Sequence, residues 1–492
     1  MTQLLSGLDK IYINGEFTPA SGGAEDVINP ASEKSIGQAP LADQNDLDRA
    51  IDAARQAFDQ SPWPALSGTE RASYMLRFHA ALAGQRQRFG EIIMREGGAV
   101  HSDAWARQFD IPMKHLRHNI EVGKKQFSRV LEPVVTDFGS SKALGGGVVE
   151  RIPMGVVGAI SAFNYPTYLN LAKIGPALMA GNTVILKPSP LTPFQALLLG
   201  EAANEAGLPP GVLNILNGGG EIGAALTTDP RVDVLSFTGS DRVGAKIAEQ
   251  GAATMKRVLL ELGGKSPLIV RADANIDMSV KIALRGFTAH AGQGCAMFTR
   301  ALVHSSIRQK FVEKMSELSK SVIVGDPTDP ATTTGPLISS AQRDNVERSV
   351  QLAIDEGAKL VFGGNRPSDL SSGYYFEPTL FDDVDNRSSI AQEEVFGPVG
   401  CIVGFDSDEE AIKLANDSKF GLRAAVMSAD VGLAYEMAQQ LRVGQVLING
   451  GSLTALSDAP FGGFKRSGYG REGGDEGYLA FTESRTIEYH AG

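Results

Sequence analysis

The sequence predicts an α/β chain with two parallel-sheet units in series and a small β appendage. Short apolar runs such as Val156-Val157-Gly158-Ala159-Ile160 have the texture of strands buried on both faces. Helical segments alternate with these runs, which is the pattern of a parallel sheet covered by its crossover helices. The alternation starts near Gly155 and begins afresh near Pro267.

Taken in order, Ile11-Tyr12-Ile13-Asn14-Gly15 reads as a short strand closed by an Asn-Gly turn. An amphipathic helix follows, with Leu47, Ala50, Ile51, Ala54 and Phe58 on one face and Asp48, Arg49 and Asp52 opposite. Helical patterning continues over about 71–96 and 101–127. The first parallel series has strands at 156–160, 183–187, 212–216 and 234–237, with helices at 193–206 and 240–252 between them. The second runs from 267–270 to about Asn449 and includes helices at about 307–320 and 339–356. Two segments belong to neither series. Residues 127–150 read as extended around Gly145-Gly146-Gly147, and 482–489 alternate like a strand. Each is a candidate edge that another chain would cover.

At 492 residues the chain exceeds one small core, so two or three domains are expected. The net charge of −11 disfavours nucleic acid or an anionic membrane as partner. No apolar run is long enough to span a bilayer, and Met1 to Lys10 lack the features of a signal peptide. Cys295 and Cys401 are the only cysteines, which fits a reducing cytoplasm better than a disulfide framework. His115 and His118 stand three apart in a helical stretch with nothing nearby to complete a metal site, so they read as a solvated helix face and no metal is expected.

Gly218-Gly219-Gly220-Glu221-Ile222-Gly223 matches a dinucleotide pattern in form, but such clusters mark turns more often than phosphate sites. Phe237-Thr238-Gly239-Ser240 is the better anion candidate: it opens a helix whose free N–H groups and Ser hydroxyl suit a phosphate, or it is simply an N-cap. Gln293-Gly294-Cys295 lies between a helix and a strand, where a thiol is either a nucleophile or a small buried hydrophobe. Glu261 sits in an apolar run before Gly263-Gly264. Burial would make it a general base near neutrality, and pairing with a nearby Lys or Arg would make it structural. Asn164, after a buried strand, either begins a turn or offers an amide to an oxyanion.

These pieces, with Asn29-Pro30, Pro153-Met154-Gly155-Val156-Val157, Phe163-Asn164-Tyr165-Pro166, Leu186-Lys187-Pro188-Ser189, Gly263-Gly264-Lys265, Glu394-Val395-Phe396-Gly397-Pro398 and Pro460-Phe461-Gly462-Gly463-Phe464-Lys465, stand in an order that resembles the aldehyde dehydrogenase superfamily along nearly the whole chain. The resemblance implies a Rossmann-like parallel-sheet cofactor domain (1–126 and 148–258), a second α/β catalytic domain (259–447), and a small β oligomerisation arm with the C-terminal tail (127–147 and 448–492). It implies a homodimer or homotetramer and oxidation of an aldehyde to its acid. Cys295 would be the nucleophile, Glu261 the base that activates water, and Asn164, with the Cys295 N–H, the oxyanion donor. Lys187 would bind the adenosine ribose, Gly239 and Ser240 the pyrophosphate, and Glu394 the nicotinamide ribose, with Phe396 and Phe163 beside the cofactor.

Departures from the family pattern bear on specificity. Pro190 stands where many NAD-preferring relatives carry a ribose-binding Glu; NAD is still expected because no Arg or second Lys adjoins it, with NADP as the alternative. Tyr165, Tyr168, Leu169, Met297, Leu453 and Phe461 would line the aldehyde tunnel, or some would be plain core residues. No Arg or Lys stands out to meet a substrate carboxylate. The set implies an aromatic, terpenoid or medium-chain aldehyde. Three rivals remain: a CoA-acylating relative, which would lack Glu261; a thiol hydrolase using His290; and a non-catalytic binding protein on the same fold, which would have lost the active positions.

Overall fold

The computed structural model describes residues 3–452 and 456–491. An eight-stranded sheet has the order Glu16–Thr18, Ile11–Ile13, Leu213–Ile215, Thr183–Lys187, Val156–Ile160, Val234–Thr238, Arg257–Glu261, Gly468–Tyr469. Its five central strands are parallel and its outer strands antiparallel. Crossover helices cover both faces, so these strands carry apolar side chains on both sides; Thr183–Lys187 is buried at every position. The strand order reverses between Val156–Ile160 and Val234–Thr238. At such a switch point the loops leaving the carboxyl ends diverge and open a crevice.

A seven-stranded sheet follows in the order Lys359–Phe362, Thr379–Asp382, Val399–Phe405, Arg300–His304, Pro267–Val270, Arg423–Met427, Gln445–Ile448. All are parallel except Lys359–Phe362. Arg257–Glu261 runs within a few residues into Pro267–Val270, so the chain passes directly from the carboxyl edge of the first sheet to the amino edge of the second.

The extended segment of the sequence folds as a hairpin, Arg129–Asp137 with Lys142–Pro153, and Thr482–Ala491 pairs antiparallel along the latter. Its outer strand leaves Val130, Val134 and Val135 exposed. The patterning over 71–96 resolves into two helices, Gly68–Gly84 and Arg86–Gly97, because Gln85 (φ −99°, ψ 9°) closes one and opens the other. Helix over 101–127 stops at Val122 and passes through a wide turn at Ala106–Asp110. His115 and His118 are half-buried rather than solvated, and His115 packs edge-on against Tyr168 at 5.3 Å. Among the described residues no helix is long and apolar enough to cross a membrane.

Candidate active site

After the helix Ile276–Thr288 the chain turns through His290 (φ 49°), Ala291 (φ 51°) and Gly292 (φ 73°). A Cβ at Gly292 would lie 1.9 Å from the Gly397 carbonyl oxygen, so only glycine fits that approach. Gln293, fully buried, anchors the turn: its Nε2 donates to the carbonyls of His290 (3.2 Å) and Pro336 (3.4 Å), and its Oε1 accepts from Ile338 N–H (2.9 Å). Cys295 leaves this anchored turn half-buried. Gly264 comes so close beneath it that a Cβ there would stand 2.6 Å from the Cys295 carbonyl. Burial, then the charges of Glu261 and Glu394, push the thiol up to about 12, and Arg423 opposes them.

Asn164 arrives from the other sheet, past the end of Val156–Ile160. It does not cap the helix Pro166–Ala180, whose N-cap is Tyr165. Its Nδ2 instead donates to the Gln293 backbone carbonyl at 3.1 Å, and the Asn164 backbone carbonyl accepts from Gln108 Nε2 at 2.9 Å. One amide N–H remains unspent at the cysteine turn.

Glu261 ends the strand Arg257–Glu261, and neither carboxylate oxygen has a partner among the described residues. Burial, then Glu472, raises its pKa well above the usual carboxylate range; Lys173 and Arg471 pull the other way. The ion pair expected nearby is formed by other residues: Lys173 Nζ donates to Glu472 Oε1 at 2.7 Å and to Ser236 Oγ at 3.3 Å. Sequence reasoning missed Lys173 and Glu472. Their signal is a lysine inside the apolar segment Pro166–Ala180, since a cation in a buried helix requires a partner.

The residues assigned to the cofactor fall at the carboxyl edge of the first sheet and on one loop of the second. Lys187 ends its strand buried; its Nζ has only the Pro188 carbonyl at 3.4 Å, and burial, opposed by Glu221, brings its pKa down to about 8. Ser240 is the N-cap of Asp241–Ala252, its Oγ accepting from Val243 N–H at 3.4 Å, with Gly239 immediately before it. Glu394 Oε1 accepts from Gly264 N–H at 3.0 Å, and burial pushes it up to about 7. Phe396 and Phe163 meet edge-to-face at 5.8 Å across the cleft. Pro190 is exposed beside the buried Lys187 and Ser189. Gly218 to Gly223 lead into the helix Gly220–Thr228, and Gly223 lies against the Lys187 stem. A buried ammonium with no ion-pair partner among the described residues, a helix N-terminus and a carboxylate holding one backbone N–H form a donor and acceptor set that fits a dinucleotide.

Of the expected tunnel residues, Tyr165, Tyr168 and Met297 come near the cysteine turn. The Tyr165 ring lies 5.3 Å from His290, and the hydroxyls of Tyr165 and Tyr168 both sense Cys295. Met297 folds over Gly294, Leu169 is buried, and Phe461 is tied by paired 2.7 Å backbone bonds to Glu472. Leu453 lies outside the described residues. The expectation of no cation here is corrected: Arg423, first residue of Arg423–Met427, has its guanidinium 5.6 Å from the Phe461 ring centroid and interacts with Cys295. Its position at a strand start carried no motif. His290, the base of the hydrolase rival, turns to Tyr165, and burial brings it down to about 4.

Known proteins bear on this geometry. The aldehyde dehydrogenase family model matches residues 17–487. The chain is 38% identical over 486 residues to 3-succinoylsemialdehyde-pyridine dehydrogenase from a Pseudomonas species, covering 98% of this chain and 99% of that one. Betaine aldehyde dehydrogenase from Staphylococcus aureus, solved with NAD+, superposes with a TM-score of 0.94 at 33% identity over 99% of this chain and 96% of its own. Aldehyde dehydrogenase C from Pseudomonas syringae, solved as a mutant with NAD+ and octanal, gives 0.91 at 37% over 98% and 96%. Sequence and fold agree over nearly the full length, and the chain is an enzyme of the aldehyde dehydrogenase family.

Proposed function

We propose that the chain oxidises an aldehyde with an apolar body (aromatic, terpenoid or medium-chain) to its carboxylic acid through a thioester on Cys295. The observation that carries this reading is the convergence of the Cys295 thiol, the Asn164 amide and the unpaired buried Glu261 in one cleft between two sheets. Tyr165, Tyr168, Met297 and Phe461 around the thiol support the apolar body.

Cys295 gives its proton to solvent water as its sulfur bonds the aldehyde carbon and the carbonyl π pair moves to oxygen. The oxygen then becomes an oxyanion, met by the spare Asn164 N–H and the Cys295 backbone N–H, each donor worth roughly 3 kcal/mol in such sites. A nicotinamide dinucleotide, when bound, supplies the acceptor for the hydride that leaves this carbon. The carbon is left as an acyl thioester. Glu261, as carboxylate, takes a proton from water, which adds to the acyl carbon and releases the acid and the thiol. A CoA-acylating enzyme has no need of that carboxylate.

Lys187 would hold the adenosine ribose, Gly239 and Ser240 the pyrophosphate and Glu394 the nicotinamide ribose, with Phe396 and Phe163 packing beside the ring. NAD is the preferred form, because no Arg or second Lys adjoins Pro190 in the sequence. We assign cofactor binding to 1–126 and 148–258, catalysis to 259–447, and self-association to the arm at 127–147 with the C-terminal strand Thr482–Ala491, the tail from 448 returning across the fold through Gly468–Tyr469. The exposed valines of Arg129–Asp137 support a homodimer or homotetramer. Two unpaired cysteines support a cytoplasmic setting.

Steady-state reduction of NAD and NADP against an aldehyde panel tests the whole reading. Benzaldehyde, citral and octanal are expected to be oxidised. A strong preference for betaine aldehyde or succinic semialdehyde over benzaldehyde would overturn the apolar body.

A further inference from the structure

Several arginines of this chain are satisfied by protein acceptors. Arg86 and Arg271 each grip an aspartate with two N–H groups. Arg300, fully buried without a carboxylate, spends its fork on Asn386 Oδ1 (2.6 Å) and on the carbonyls of Leu414 and Ala415 (both 3.1 Å).

Arg423 is different. Its Nε donates to Gln445 Oε1 at 2.7 Å, from the residue beside it in register on the next strand. That bond and the Phe461 ring at 5.6 Å fix the plane of the guanidinium. Among the described residues, neither Nη1 nor Nη2 has an acceptor and no carboxylate pairs with the group. Arg423 is half-buried, and the groups that face its charge are the Cys295 thiol and the Tyr168 and Tyr165 hydroxyls, which surround the reaction cleft. A half-buried cation held in place with no protein anion on it offers its free N–H groups to an anion that enters the cleft. Two parallel N–H groups at the open end of a held fork match a carboxylate.

We propose that Arg423 binds a carboxylate at the far end of the aldehyde, so that the substrate class is an aldehyde acid with an apolar body. This rests on the aldehyde-oxidising reading above and narrows its substrate. The formyl carbon would sit at Cys295, the apolar body among the tyrosines and Phe461, and the carboxylate on Nη1 and Nη2 of Arg423. Gln445 is a positioning residue that aims the fork.

The experiment compares shape-matched pairs: 4-carboxybenzaldehyde with neutral 4-nitrobenzaldehyde, and 8-oxooctanoate with octanal. In the wild-type enzyme the acid of each pair is expected to have a kcat/KM about 10- to 100-fold higher, mostly through KM. Arg423→Met should abolish that ratio, the acid of each pair losing more than its neutral partner, and Arg423→Lys should restore part of it. Equal use of acid and neutral partners by the wild type overturns the proposal without any variant. So does an equal loss on both partners in Arg423→Met, which would assign the arginine to the thiol instead. If no aldehyde reduces either cofactor, the aldehyde-oxidising reading itself fails, and the two failures are distinct.

Discussion

Lys173 donates to Glu472 Oε1 at 2.7 Å with both side chains buried, and this pair brackets the charge on Glu261. Glu472 raises the Glu261 pKa and Lys173 lowers it, so the two partners have opposite effects on the same carboxyl. The base must be ionised to take a proton from water, so acid release fails as pH falls through its pKa. Glu472→Gln removes the like charge and should move the acid limb of the kcat profile down by about one pH unit. Lys173→Met removes the counter-charge and should move it up. Shifts of the same sign in both variants would disconnect the pair from the base.

The two half-reactions separate in a second experiment. Glu261→Gln keeps Cys295 and Asn164 and should still form the thioester, giving a burst of reduced cofactor of about one equivalent per site, with later turnover about 10²- to 10⁴-fold slower. Cys295→Ser should lose both burst and turnover while still binding cofactor, measured by fluorescence quenching. A Cys295→Ser enzyme that turns over at wild-type speed would remove the thioester from the mechanism.

The parallel strands, their helices and the order of the motifs were legible because each is a local pattern: apolar runs for strands buried on both faces, and polar residues beside glycine turns. Asn164, Glu261 and Cys295 stood inside such patterns. Arg423, Lys173 and Glu472 did not. Lys173 and Glu472 lie 299 residues apart, and only folding reveals that the charges meet. Asn164 read locally as a turn residue because its partner, the Gln293 carbonyl, is 129 residues away. The helix break at Gln85 was equally hidden, since the apolar period continues across it.

The proposed place of the adenosine ribose beside Pro190 carries a prediction about cofactor preference. A carboxylate there would accept ribose hydroxyls and repel a 2′-phosphate, and Pro190 does neither. Pro190→Glu should raise the ratio of kcat/KM for NAD over NADP by about tenfold or more, chiefly by weakening NADP. Lys187→Met should weaken both forms. Full retention of NADP use in Pro190→Glu would show that the ribose does not approach this residue.

Stability carries a separate prediction at Glu96, whose buried carboxylate accepts from the N–H groups of Phe194 (2.9 Å) and Gln195 (3.2 Å) at the start of the helix Phe194–Ala206. That helix has no side-chain cap of its own, so Glu96→Ala would strand two buried donors and cost roughly 2–5 kcal/mol. Burial, partly offset by those two bonds, raises the Glu96 pKa from its ordinary 4.5 to about 8. Between those values the folded state holds a proton that the unfolded chain has released. The stability this contributes is fully present below 4.5 and is lost as pH rises from there through about 8. Glu96→Gln cannot titrate, so its melting temperature should approach that of the wild type as pH is raised from 6 to 9. A gap that stays constant over that interval would mean that the carboxylate is already ionised in the fold, held by its two N–H donors.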